Sequence, residues 1–176
     1  MTRRLHIGGT SKVQGWEVLN ANPAPYVDHL CNANDLSQFD NNTFEQIYAS
    51  HVVEHFDYKG ELLRTLVEWN RVLVPGGAVY ISVPDLDILS ALMLQKDKFS
   101  GDDRFAIMRM IFGGHVDKYD YHVVGLNEEF LGSFLRTAGY INIRRVESLG
   151  LFRDTSVMAF KGIAISLNMI ATKQFT

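Results

Sequence analysis

The stretch LHIGGTSKVQGW, residues 5–16, constrains the fold more than any other part of the chain. An apolar strand, Leu5–Gly8, runs into the paired glycines Gly8 and Gly9, the residue type a chain uses where its backbone must approach a ligand closely. The next strand, predicted over Val18–Ala21, follows after only Gly9 to Trp16. A helical crossover between parallel strands takes roughly a dozen residues or more, so the glycine turn is predicted to have no helix behind it. Without a helix N-terminus the turn lacks the partial positive charge that favours phosphates, which argues against a dinucleotide. The backbone N–H groups of Gly9, Thr10 and Ser11 can still serve the carboxylate of an amino-acid tail.

Further short apolar strands are predicted at Val27–Cys31, Gln46–Ser50 and Ala78–Val83. They lack strict alternation, as strands covered on both faces do, and read as a parallel sheet. Between the fourth and fifth lies YKGELLRTLVEWNRVL, where Leu62, Leu66, Trp69 and Leu73 recur at helical spacing and Glu61, Arg64, Glu68 and Arg71 fall opposite. Asp57 is the expected cap of this helix, and Pro75-Gly76-Gly77 is expected to end it and turn the chain into strand five. Two helical pieces are predicted over Leu86–Gln95 and Arg104–Phe112. A further helix, NEEFLGSFLRTAG, has Asn127 as cap, Phe130, Leu131, Phe134 and Leu135 inward, and Gly139 as terminator. Alternation resumes at Ile141 and Ile143, then at Ile165, Leu167 and Met169, the pattern of an antiparallel pair or sheet edge. The expected fold class is a doubly wound, mostly parallel α/β sheet, shortened at its start, with an antiparallel C-terminal edge strand.

With 176 residues and 47% hydrophobic content, the chain suits a single domain over 1–176. A net charge of −3 gives no general attraction to phosphate backbones, and Arg3-Arg4 and Arg144-Arg145 are isolated pairs, so nucleic acid is not an expected partner. The single cysteine, Cys31, excludes an internal disulfide and a multi-cysteine zinc site, and reads as a small buried hydrophobe. No apolar run is long enough for a membrane span or leader, so a soluble, cytoplasmic protein without membrane contact is expected. The apolar composition is compatible with a homodimer.

In a doubly wound sheet the ligand lies beyond the carboxyl ends of the strands. Those ends carry Gly8 and Gly9, Asn20, Asn32-Ala33-Asn34-Asp35, Ser50-His51 with Glu54 and His55, and Pro84-Asp85. Here NANDLSQFDNNTFEQIYASHVVEHF, followed by EWNRVLVPGGAVYISVPD, resembles the middle of class I S-adenosylmethionine-dependent methyltransferases. The likeness is to the small type 11 group often linked to surface polysaccharide synthesis. It covers about residues 5 to 85 and continues more loosely through GGHVDKYDYHVVG and LNEEFLGSFLRTAGY. The resemblance implies S-adenosylmethionine as cofactor, with Gly8 and Gly9 at its methionine part, Asn20 at the ribose and Asn32 with the Ala33 backbone at the adenine. A register shift would put Asn22 in place of Asn20. Both ribose and adenine positions are acidic in the group and carboxamides here. A carboxamide offers one accepting oxygen and no charge, which costs on the order of 1 kcal/mol, about fivefold in affinity.

Methyl transfer from a sulfonium is an in-line displacement, in which the protein aligns two reactants and, for a hydroxyl acceptor, removes its proton. The candidate bases are His51, His122 and Asp85. His51 either takes that proton or caps the turn after strand four while touching the cofactor. Asp85 either faces the site or caps DLDILSALML. His122 lies near Tyr119 and Asp120 in GGHVDKYDYH, which has the composition of a lid. Glu54 is expected to bind its own helix end or an Arg, and His55 to be structural or to face substrate. His51 and His55 also have the spacing of a helical metal pair, with His122 or Asp120 as a third ligand, but no fixed signature supports this and no metal is assigned. The expected function is methyl transfer to an oxygen or nitrogen of a small or carbohydrate-type acceptor. Rival readings are a non-catalytic scaffold of the same fold and a metal-assisted hydrolase.

Overall fold

The computed structural model describes residues 3–116 and 118–175. Among the described residues there are nine strands and four α-helices: β1 (Arg4–Ile7), β2 (Glu17–Asn20), β3 (His29–Leu30), β4 (Phe44–Ser50), α1 (Glu61–Val72), β5 (Leu73–Pro84), α2 (Leu86–Leu94), α3 (Gly101–Phe112), α4 (Glu128–Thr137), β6 (Tyr140–Val146), β7 (Ala159–Phe160), β8 (Ile163–Ala164) and β9 (Ser166–Lys173). Seven strands form one sheet in the order β3-β2-β1-β4-β5-β9-β6, and β7 and β8 form a small separate pair. The pairings from β3 to β5 are parallel, while β9 runs antiparallel to β5 and β6. The C-terminal strand is thus antiparallel as expected and sits one place in, with β6 outermost.

Two rows of register-matched residues show how the sheet is covered. On one face, Leu19, Ile7, Ala49, Ile81 and Met169 lie in a line across five strands. They belong to the main core, closed by Leu62, Leu66 and Trp69 of α1 and by Leu131 and Leu135 of α4. On the other face the matching row is Val18, His6, Tyr48, Tyr80 and Ile170. No helix forms within residues 8–16, as the short glycine turn requires. This second row is covered instead by Trp16 from that turn and by Leu149 and Phe152 from the segment after β6. His6 packs against Tyr48 at 5.0 Å between ring centroids and against Phe152 at 4.2 Å.

Several local expectations are corrected. Asp57 does not cap α1: its Oδ1 accepts from Lys59 N–H at 2.6 Å, and the helix starts one turn later behind Gly60 at φ +131°. Pro75-Gly76-Gly77 does not end the helix. Main-chain pairing begins at Leu73, opposite Phe44, and resumes at Ala78 opposite Gln46, so the tripeptide forms an irregularity inside β5. Gly76 takes φ +76° there. Phe130 points to solvent, 45% exposed, because it lies in the first turn of α4 beside the cap. Asn127 does cap that helix, accepting from Phe130 N–H at 2.8 Å, and Gly139 after its end has φ +88°.

Asp85 is the cap of α2, fully buried, with Oδ1 accepting from Asp87 N–H at 3.0 Å and Ile88 N–H at 3.3 Å. Its other oxygen accepts from Arg145 Nη2 at 2.7 Å. Asp85→Ala removes a cap and leaves Arg145, itself partly exposed, with only its longer ion pair to Glu128 at 3.7 Å. The expected loss is about 2–3 kcal/mol in urea denaturation, against about 1 kcal/mol for Asp85→Asn, which keeps an accepting oxygen.

The buried His6 ring gives the fold an acid-sensitive point. Burial lowers its pKa from 6.5 to about 4, and Nδ1 has no partner among the described residues. Between those values the unfolded chain binds the extra proton and the folded chain does not, so stability is full above pH 6.5 and falls as pH drops towards 4. The share due to His6 reaches about 3 kcal/mol. Denaturation of His6→Phe across pH 4–7 is expected to show a shallower acid slope than the parent.

Candidate functional site

The carboxyl ends of β1, β2, β3 and β4 open onto two adjoining clefts. The smaller, about 220 Å³, is bordered by Gly8, Asn20, Asn32, Ala33, His51 and Val52, with His55, Phe56 and Tyr119 closing it. The larger, about 610 Å³, is bordered by His6, Thr10, Ser11, Ser50 and the segment Leu151–Thr155. Gly8 and His51 border both. The two residues share a backbone feature: Gly8 has φ +74° and His51 φ +54°. A left-handed histidine is uncommon and costs conformational energy, which the surrounding contacts must offset. His51 N–H donates to Ser82 O at 2.8 Å, and its ring Nε2 lies 3.2 Å from Ser166 Oγ.

The glycine turn is built for close approach. A Cβ on Gly8 would stand 2.7 Å from Val52 Cγ2, and one on Gly9 3.0 Å from the His6 ring and from Val18. Asn20 ties the turn to β2, its Nδ2 donating to Gly9 O at 3.1 Å and its Oδ1 accepting from Asn22 N–H at 2.9 Å. Asn32 is exposed in the smaller cleft, and the neighbouring Ala33 is held from behind, its carbonyl accepting from the Trp69 indole N–H at 2.7 Å. The structure therefore gathers Gly8, Asn20, Asn32, Ala33 and His51 around one cleft, with Gly9 buried beside it. The residues fit an adenosyl ligand: a side-chain-free turn at one end and carboxamide acceptors at the other.

The candidate bases separate. Asp85 is occupied as a buried cap and ion-pair partner and borders neither cleft. His51 stands where the clefts meet, and burial lowers its pKa to about 4. His122 lies behind it, also lowered by burial. Between them is Glu54, whose carboxyl group meets its own backbone N–H, as expected of a residue serving its own turn, and pairs with no Arg among the described residues. It is 1% exposed, neither oxygen has a hydrogen-bonding partner in another described residue, and burial raises its pKa to about 8. Its Oε1 lies 3.7 Å from His51 Nδ1 and 3.9 Å from His122 Nε2.

The GGHVDKYDYH segment is anchored at its root, with Val123 and Val124 N–H donating to Glu54 O and His122 N–H donating to Phe112 O. Its Asp117 lies outside the described residues. Residues 151–155 had no role in the sequence reading, since LFRDT carries neither periodicity nor a motif. The Tyr48 hydroxyl donates to Asp154 at 2.8 and 2.9 Å, and the Ser50 and Thr155 hydroxyls lie 2.7 Å apart. These contacts, over more than a hundred residues of sequence, hang a polar wall with Arg153 over the end of β4.

Residues 14–81 match the sequence model of a family described as a methyltransferase domain. No curated protein sequence matches the chain. Among solved structures, a SAM-dependent methyltransferase from Archaeoglobus fulgidus aligns with a TM-score of 0.63 and 15% identity, covering 98% of this chain and 86% of that one. A Thermotoga maritima protein described as a SAM-dependent methyltransferase, possible histamine N-methyltransferase, aligns at 0.61 and 18%, covering 99% and 83%. A possible exported protein from Bordetella parapertussis aligns at 0.59 and 12% over 98% of this chain, which spans 63% of that protein's length. At these identities the structural likeness is one of fold. Residues 14–81 thus carry the sequence signature of a methyltransferase domain, and the sheet around them has the fold of the class I S-adenosylmethionine-dependent methyltransferases.

Proposed function

We propose that the chain transfers the methyl group of S-adenosylmethionine to an oxygen or nitrogen of a small, hydroxyl-rich acceptor such as a carbohydrate. The observation that carries this reading is the meeting of two clefts at Gly8 and His51. The cofactor supplies an electrophilic methyl group on a sulfonium; the smaller cleft would hold its nucleoside, and its amino-acid part would reach past Gly8 along the turn that borders the larger cleft. Gly8, Gly9 and the N–H groups of Thr10 and Ser11 serve its amino-acid part, Asn20 the ribose, and Asn32 with Ala33 the adenine. The larger cleft would take the acceptor. Ser50, Arg153, Asp154 and Thr155 offer it donors and acceptors suited to several hydroxyls.

In-line transfer asks the protein chiefly for alignment. His51, at the junction and uncharged at neutral pH, is placed to accept a proton from an acceptor hydroxyl as its oxygen attacks. Loss of a charge-assisted ribose contact leaves room for improvement. Asn20→Asp adds a second accepting oxygen and a charge while giving up the donor to Gly9 O. It is expected to tighten S-adenosylmethionine up to about fivefold by titration calorimetry. Unchanged or weaker affinity would remove Asn20 from the ribose, and an absence of heat from the parent at millimolar cofactor would favour a scaffold.

Gly8→Val meets two obstacles, a left-handed φ and a Cβ against Val52. It is expected to abolish cofactor binding in the same titration while keeping the far-UV circular dichroism of the parent, with stability lower by about 1–3 kcal/mol. A Gly8→Val protein that still binds would place the cofactor elsewhere.

A further inference from the structure

The proposed methyl transfer leaves Glu54, His55 and His122 without a task, and their geometry is unusual. Glu54 is buried, with both carboxylate oxygens unpartnered by other described residues. A buried carboxyl group whose one contact is its own backbone N–H leaves acceptor positions open that a ligand can satisfy. His55 Nδ1 lies 3.0 Å from Tyr121 O, and His122 Nδ1 lies 3.3 Å from Ile111 O. A carbonyl oxygen only accepts, so in both rings the proton sits on Nδ1 and Nε2 keeps its lone pair. This is how metal-ligating histidines are held, with the outer nitrogen fixed by a main-chain carbonyl. The two rings stand nearly perpendicular, 4.9 Å between centroids.

One ligand atom from each of Glu54, His55 and His122 can be chosen so that all three lie within 4.8 Å of one another. The 3.9 Å from His122 Nε2 to Glu54 Oε1 is too long for a hydrogen bond. It lies within about half an ångström of the ligand-to-ligand edge that metal–ligand bonds of roughly 2.1 Å give in a tetrahedron. A void of about 10 Å³ adjoins Glu54 and His122. A hollow of about 290 Å³, bordered by His51, His55, Asp120 and His122, provides an approach from solvent.

We propose that Glu54, His55 and His122 form a binding site for a single divalent transition metal of the zinc class. Two neutral imidazoles and one carboxylate would be its ligands, with a fourth position open to the hollow beside His51. This differs from the pair that sequence spacing picks out. His51 leaves the helical course at its left-handed φ and directs Nε2 to Ser166, so Glu54 and His122 take its place beside His55. Of its ligands, His55 also borders the smaller cleft, and the hollow shares His51 and Thr155 with the larger one. The site itself does not depend on cofactor binding.

The test uses the full chain, untagged and stripped with a chelator, with no S-adenosylmethionine present. Zn²⁺ is titrated calorimetrically and Co²⁺ by its visible absorption. The expected result is one equivalent bound, with cobalt bands of a four- or five-coordinate site. Glu54→Gln, which keeps the side-chain shape and cannot become an anionic ligand, and His122→Ala are each expected to weaken binding at least about tenfold. His29→Ala, on the far side of the sheet, should leave it unchanged. No saturable binding of either ion would overturn the proposal, as would binding that survives Glu54→Gln and His122→Ala and so belongs to a surface site. Either failure leaves the methyl-transfer reading standing, because that reading is tested by a separate titration.

Discussion

The rest of this structure follows from the shortness of the connection between β1 and β2. Two parallel neighbours joined by residues 8–16 cannot carry a helix between them, so the sheet row Val18, His6, Tyr48, Tyr80 and Ile170 needs another cover. Trp16 supplies part of it from within the connection. The remainder comes from Leu149 and Phe152, far along the chain. Burying such aromatic and aliphatic surface is worth a few kcal/mol per side chain. Packing Phe152 against His6 and Tyr48 also carries Arg153, Asp154 and Thr155 to the end of β4. The larger cleft is therefore a by-product of how a missing helix is replaced.

The junction of the clefts is held by backbone strain opposed by contacts on several sides. His51 takes a conformation that glycine adopts more easily, and is fixed by Ser82 O behind it and by Ser166 beside its ring. Ser166 in turn donates to Thr155 O at 2.7 Å, so β4, β9 and the 151–155 segment meet at this one residue. Strain kept by such mutual support is typical of positions that serve a ligand. Gly8 faces His51 with its own left-handed φ, and the absence of a side chain there keeps both clefts open.

Much of the fold was legible because it is local. The first five strands, the spacing of Leu62, Leu66 and Trp69, the caps Asn127 and Asp85, and the helix-free glycine turn are each decided by a few neighbouring residues. The boundary errors have local causes too: Gly60 lets the chain make one more turn before α1, and a strand irregularity absorbs Pro75-Gly76-Gly77. What could not be read depends on distant pairs. Nothing near Glu54 in sequence says that its carboxylate ends among His51, His55 and His122, since His122 arrives from the far side of α3. Nor does LFRDT announce that Asp154 will meet Tyr48. The rim of the smaller cleft was legible because strand ends are sequence-local features, whereas the far wall of the larger cleft was not, because it comes from a loop with no periodicity.

Electrostatics give the site a consistent character. The adenosyl donor carries a positive sulfonium; His6 borders the larger of the clefts that would receive it, His51 borders both, and His122 lies behind His51. Burial lowers the pKa of each, to about 4 for His6 and His51, so at neutral pH none adds a cation to oppose the donor. Asp154 is the one carboxylate bordering the larger cleft among the described residues, and it is held in place by Tyr48 and by Ser156 N–H at 2.9 Å. The carboxamides at positions 20 and 32 remove the negative charge that acidic residues would bring to the ribose and adenine end. The formal charges at the clefts among the described residues, Asp154 and Arg153, thus both border the larger one, and no Asp, Glu, Lys or Arg borders the smaller.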